Sequence, residues 1–146
     1  MTHVAGMLLL YLPSEFDAFV CFSNLIDRHL WRALYSMDLT QLEPHLRLYA
    51  QLLSSHVPDV YAHFVRLDIG GHYLLDWLLT LFGKPMQHRA CCAVWDLYLL
   101  EGEIALYRVA VAILALHRQR LLSSDIEGVH RLLKTLVRLF LPYLHG

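Results

Sequence analysis

Ten histidines, three cysteines and a few neighbouring carboxylates are the residues here whose chemistry could go beyond packing. Histidines one helical turn apart, or cysteines spaced as CxxC, would suit a metal, and closely set carboxylates would suit acid–base work. None of these arrangements is present. There is no HExxH and no other histidine pair at i, i+4, and His56 and His63 lie apart beside Pro58. The histidines therefore read as scattered surface and capping residues. Cys21, Cys91 and Cys92 are odd in number and lack CxxC spacing, so neither a disulfide framework nor a zinc site is expected, and the chain reads as cytosolic. The nearest approaches to paired carboxylates are Asp38 with Glu43 and Glu101 with Glu103. Asp38 reads as part of a helix start and the other two flank a turn, so both pairs read as solvated. With no Gly-rich phosphate loop and no G-x-S-x-G, neither an active site nor a cofactor is expected.

The stretch from Asp76 to Leu114 carries the densest pattern: Trp77, Phe82, Trp95, Asp96, Glu101, Gly102 and Arg108 within a helix, a turn and two further helices. Trp77 and Trp95 read as core anchors. Gly102 reads as the residue after a helix end that must take positive φ, and Glu103 favours the start of the next helix. The segment Glu103 to Arg120 is apolar nearly all round and reads as the central helix. Arg108 in its middle cannot be buried alone, and Asp96 is the nearest acid that could face it, so a buried Asp96–Arg108 pair is expected.

The elements that must position these residues are helical throughout, because apolar residues recur at three and four and no β-branched alternation occurs. About eight helices are predicted. The first covers Thr2 to Leu12. Ser14 and Asp17 open the second, with Phe16, Phe19, Val20 and Leu25 facing inward. A short one follows around Leu30 to Tyr35, and Thr40 with Glu43 starts another that ends before Pro58. Pro58 sits in the first turn of the next, which buries Tyr61, Phe64 and Val65 and ends at Gly70 and Gly71. Tyr73 to Phe82, Gln87 to Leu100 and Glu103 to Arg120 complete the middle, and Ser124 with Glu127 caps the last. No linker or internal repeat divides them, so 1–146 reads as a single domain.

Hydrophobic residues make up 57% of the 146 and charged residues 17%, where about 45–50% and 25% are usual. No window reaches the roughly 18 uncharged apolar residues of a spanning helix. The apolar start lacks a basic n-region and a small-residue cleavage site, so a signal peptide is not expected. The net charge of −1 hides an acidic body and a basic tail: residues 1–103 balance to −5 and residues 104–146 to +4. Neither part suits nucleic acid. Arg131, Lys134 and Arg138 share one face of the last helix, opposite Ile126, Val129, Leu133, Leu136 and Phe140. That face reads as solvated, with peripheral membrane contact as the alternative.

Taken in order, WLLTLF with Trp77 and Phe82, VWDLYLLEG and ALYRVAVAIL resemble the C-terminal half of the TBC domain of Rab GTPase-activating proteins. The resemblance runs over roughly residues 1–138, with Met1 matching the methionine of the family's YxQGM segment and VPDVYAHFVRLDIGGHYLLDWLLTLF matching the helix and turn before the tryptophan. It implies an all-α fold, a Rab-type small GTPase as partner and a role in vesicle trafficking, the chain being an activator of a partner enzyme. The family accelerates GTP hydrolysis with an arginine from IxxDxxR and a glutamine from YxQ, a finger arginine being worth about 10³ to 10⁵ in rate. The arginine segment would precede residue 1 and the glutamine would immediately precede Met1, so no catalytic role passes to any residue of this chain. Two readings follow: the C-terminal lobe of a longer activator, its N-terminal half missing, or a shortened non-catalytic module. A half domain would expose apolar surface and tend to aggregate. The rival is a helical scaffold or a peripheral membrane module.

Overall fold

The computed structural model describes residues 2–82 and 88–135, together with the backbone but not the side chain of His88. Among them it forms ten helices and no strand: α1 Thr2–Tyr11, α2 Glu15–Ile26, α3 His29–Ser36, α4 Leu39–His56, α5 Pro58–Arg66, α6 His72–Leu79, α7 His88–Glu101, α8 Glu103–Leu116, α9 Arg118–Leu122 and α10 Ile126–Thr135. The all-α expectation holds. The number exceeds the predicted eight partly because the long central helix breaks at His117, splitting α8 from α9. No helix among the described residues is long and apolar enough to cross a membrane.

Local chemistry explains most of the boundaries. Ser14 accepts the amide of Asp17 and so caps α2. At α4 the cap is Asp38, which accepts the Thr40 amide at 3.0 Å, so the expected Thr40 and Glu43 box is replaced, and Glu43 pairs with Arg47 instead. Pro58 stands at the start of α5 as predicted, where its missing amide leaves no hydrogen bond unmade. At α10 the Gly128 amide donates to Asp125, so Asp125 displaces the predicted Ser124. The segment that includes Leu136, Arg138 and Phe140 lies outside the described residues.

Three helix ends close on left-handed residues that are not glycine. Met37, Asp68 and Leu81 have φ of 53°, 54° and 48°. Each allows the next amide to reach back five residues, as Asp38 does to Ala33, Ile69 to Phe64 and Phe82 to Trp77. The helix predicted to end at Gly70 and Gly71 therefore ends earlier, at Arg66, and Asp68 closes it.

The core is built around α8, which buries Leu106, Tyr107, Ala110, Ile113 and Leu114 and packs against α4, α7 and α9. Trp31 and Leu34 of α3 and Leu74, Trp77 and Leu78 of α6 join the same cluster. Burying a side chain of this size is worth about 1.5–3 kcal/mol, so this layer dominates the cohesion of the chain.

The second helix departs from expectation. Ala18 and Leu25 face inward with Phe22 beside them, at a spacing of four and three, whereas Phe16 and Phe19 stand 73% and 67% exposed and Val20 is exposed too. The apolar pattern of α2 has two faces, and the described structure covers only one. Leu9, Leu10 and Tyr11 at the end of α1 are also exposed. On α5, Phe64 is buried as predicted, Tyr61 is half-buried, and Val65 points outward.

Candidate functional site

Trp77 is buried, with its ring 5.3 Å from Tyr73 and 6.0 Å from Phe82. Phe82 is held in the left-handed region at φ 59°, next to Leu81, and both are fully buried. Bulky residues adopt this backbone only where packing enforces it, so the end of WLLTLF is a strained, tightly held corner. The Tyr73 hydroxyl meets that of Tyr49 at 2.8 Å, and burial raises the pKa of both phenols. These aromatics form a packing frame.

Trp95 of α7 is buried beside Cys91, as expected of a core anchor. Burial, with Cys92 adding to it, pushes the Cys91 thiol up to about 11. It therefore stays a thiol at neutral pH and is no nucleophile. On the same helix the Tyr98 hydroxyl accepts from the Trp31 indole at 2.8 Å, tying α7 to α3.

The expected Asp96–Arg108 pair does not form. Arg108 donates to Glu101 at 3.1 Å across the turn, with the two side chains 65% and 45% exposed, and Asp96 lies on the outer surface of α7. The reason lies in the register of α8. Arg108, Ala112, Ala115 and Leu116 form one exposed strip down the helix, so the one charge beyond its first turn occupies a position that never faces the core. Three of the four strip residues are apolar, so the sequence looked apolar all round. Gly102, by contrast, behaves as predicted. At φ 78° and ψ −158° it occupies backbone space open to glycine alone, and it links α7 directly to α8.

Glu101 and Glu103 therefore have separate partners. Glu103 stands 3.9 Å from Nδ1 of His45, and the same nitrogen lies 2.7 Å from the Tyr107 hydroxyl. His45 Nε2 in turn faces His29 Nδ1 at 3.3 Å. Burial lowers the pKa of His45, with His29 adding to the effect and Glu103 opposing it. Burial raises the Tyr107 phenol, and here Glu103 adds to the shift. Reading the histidines as scattered surface residues missed this cluster, and also the buried His63 and His117. His63 Nε2 donates to the Ser124 carbonyl at 3.1 Å while its Nδ1 accepts from Arg66, which joins α5 to the turn after α9. No periodicity could have announced the contacts of His45 with Tyr107 or of His63 with Ser124, because those partners lie more than sixty residues away. Beside them, Asp59 pairs with Arg118, whose hydrogen bond lowers the carboxyl pKa.

None of these groups converges on a reacting centre. Among the described residues no three His, Cys, Asp or Glu side chains are placed to hold a metal. One tripeptide, Tyr49-Ala50-Gln51, spells Y-x-Q, but it lies inside α4, its tyrosine is buried against Tyr73, and Leu52 follows where the family has glycine.

The described elements are all helical, and comparison with known proteins gives their class. Residues 1–122 match the Rab-GTPase-TBC domain, and the chain belongs to that family. TBC1 domain family member 12 of Xenopus tropicalis is 30% identical over 137 residues, 93% of this chain and 20% of that protein. TBC1 domain family member 14 of Homo sapiens is 30% identical over 126 residues, 86% of this chain and 18% of that protein. Drainin of Dictyostelium discoideum is 33% identical over 115 residues, 78% of this chain and 26% of that protein. The chain thus spans about a fifth to a quarter of these relatives.

Proposed function

We propose that this chain forms the C-terminal part of a Rab-GTPase-activating TBC domain, engaging a Rab-class small GTPase in vesicle trafficking without supplying the arginine or glutamine finger. The observation that carries the reading is the family match over residues 1–122. The exposed stripe of Phe16, Phe19 and Val20 on α2 supports a further element of the domain packing there. In this reading Trp77, Phe82, Trp95, Gly102 and the Glu101–Arg108 pair frame the domain and take no part in chemistry. Such a protein acts in the cytoplasm, at the surface of endomembranes. Arg131 and Lys134, exposed on α10, would then rest against anionic lipid as a secondary contact.

The test is a panel of GTP-loaded Rab proteins. Binding to at least one member is expected, and binding to none would overturn the partner assignment. GTP hydrolysis by the bound Rab should stay at its intrinsic rate with this chain alone; a clear acceleration would show that the chain supplies catalytic groups itself. Flotation with anionic vesicles tests the lipid contact, which should vanish in high salt or on neutralising Arg131 and Lys134.

A further inference from the structure

His29 opens α3 and His45 lies in the first half of α4, and their rings face one another with centroids 5.5 Å apart. At 3.3 Å between His29 Nδ1 and His45 Nε2, one nitrogen must carry the hydrogen and the other the lone pair. Two N–H groups aimed at each other would repel. The remaining surroundings come from α8, where the Tyr107 hydroxyl lies against His45 Nδ1 and the Glu103 carboxylate stands just beyond. Tyr107 holds its proton at neutral pH, since burial raises it. The nearby cations of α4 and α8 are engaged elsewhere, Arg47 by Glu43 and Arg108 by Glu101. Arg28, at the N-terminal edge of α3, acts on Tyr98, a group on which Glu103 also acts.

We propose that His29 and His45 form a single-proton site that couples solvent acidity to the docking of α3 on α4. With both rings neutral, the Tyr107 hydroxyl donates to His45 Nδ1 and His45 Nε2–H donates to His29 Nδ1. One added proton at His45 Nδ1 keeps every contact: that N–H now donates to the Tyr107 oxygen, the Glu103 carboxylate balances the charge, and the facing pair still has one donor and one acceptor. The His45 Nε2 proton can then cross the contact to His29 Nδ1, leaving His45 Nε2 as the acceptor. A second proton leaves two donors and two positive charges across the gap, so it breaks the contact. His29 is exposed, so the site exchanges protons with solvent directly. The start of α3 would be released, and Trp31 two residues further on would feel it through its hydrogen bond to Tyr98 of α7. The inference is independent of any GTPase partner.

The full chain tests it by NMR titration of the histidine ring carbons from about pH 8 to 4.5, with His29→Gln and His45→Gln for assignment. Expected are two macroscopic steps, both reported by both rings and separated by at least about one pH unit, a tenfold difference in proton affinity. The Trp31 indole N–H resonance should move with the second step only. In His29→Gln the second step should disappear while His45 keeps one. Independent single transitions in the unsubstituted chain would overturn the proposal, whether or not the variants fold, and so would a second step that leaves the Trp31 resonance unmoved.

Discussion

Tyr107 and Arg108 are consecutive on α8 and have opposite environments. The tyrosine is buried to about 1% exposure and anchors the His45 cluster, whereas the arginine lies in solvent and pairs with Glu101. In the sequence the arginine is the conspicuous residue, a lone charge in an apolar run. In the structure the polar contact that ties helices together belongs to its unremarkable neighbour. A charge in an apolar helix is therefore a sign of where water reaches, because a helix can keep one narrow solvated strip at little cost, while a phenol with an apolar ring and one polar tip can be buried if that tip finds a partner.

The largest effect should follow from removing the buried member. Tyr107→Ala deletes a core aromatic and leaves His45 Nδ1 without its hydroxyl partner, and a loss of about 3–5 kcal/mol is expected in urea unfolding. That is a large share of the roughly 5–15 kcal/mol of an ordinary domain. A loss under about 1 kcal/mol would mean that Tyr107 is not the anchor. Gly102→Ala comes next, because an added Cβ meets no neighbour but must adopt φ 78° and ψ −158°. The strain should cost of the order of 1–3 kcal/mol. Chemical denaturation of the variant measures it, and an unchanged midpoint would argue for a different backbone at the α7 to α8 link.

The polar side of the comparison is pH-dependent. His45 and His117 have pKa values lowered mainly by burial, so the unfolded chain takes up protons that the fold resists. Their contribution is fully present above the unfolded histidine value of about 6.5 and is lost as pH falls through that value toward the folded ones. Asp38 and Asp59 are shifted down, so their contribution is lost only at lower pH, beneath the ordinary carboxylate range. Stability measured at pH 7.5 and 5.5 should therefore fall toward the lower value, and the fall should shrink in His45→Gln. An unchanged fall in that variant would remove His45 from the account.

Much of the fold was legible because it rests on local rules. Helix type, the Ser14 cap, Pro58 in a first turn and the positive φ at Gly102 all follow from residue chemistry within one turn of the chain. The anchors Trp77 and Trp95 were legible too, since large aromatics at helical spacing are rarely left in water. Three other features were not. Helix ends at Met37, Asp68 and Leu81 use left-handed residues with side chains, which are held there by tertiary packing and the backward-reaching amides, so a search for glycine put one end too late. The inward stripe of α2 was misassigned because both of its faces carry apolar residues, and periodicity gives a helix its stripes without saying which one meets the core. The His29, His45 and Tyr107 cluster depends on three helices meeting, which no local pattern encodes.

The smallest expected effects lie on the arginine side. Arg108→Ala removes an exposed ion pair, so the loss should be about 0.2–1 kcal/mol at low salt and should disappear in molar salt. Asp96→Ala should leave stability within about 0.5 kcal/mol, since its carboxylate lies on the surface of α7 and Arg108 is engaged by Glu101. A double-mutant cycle separates the two acids that compete for this assignment. Glu101 and Arg108 should couple weakly and in a salt-sensitive way, while Asp96 and Arg108 should be additive. Coupling of more than about 1 kcal/mol between Asp96 and Arg108 would restore the buried pair, because only two desolvated charges in contact interact that strongly. The contrast between neighbours on α8 would then disappear, with both residues counted as part of the core.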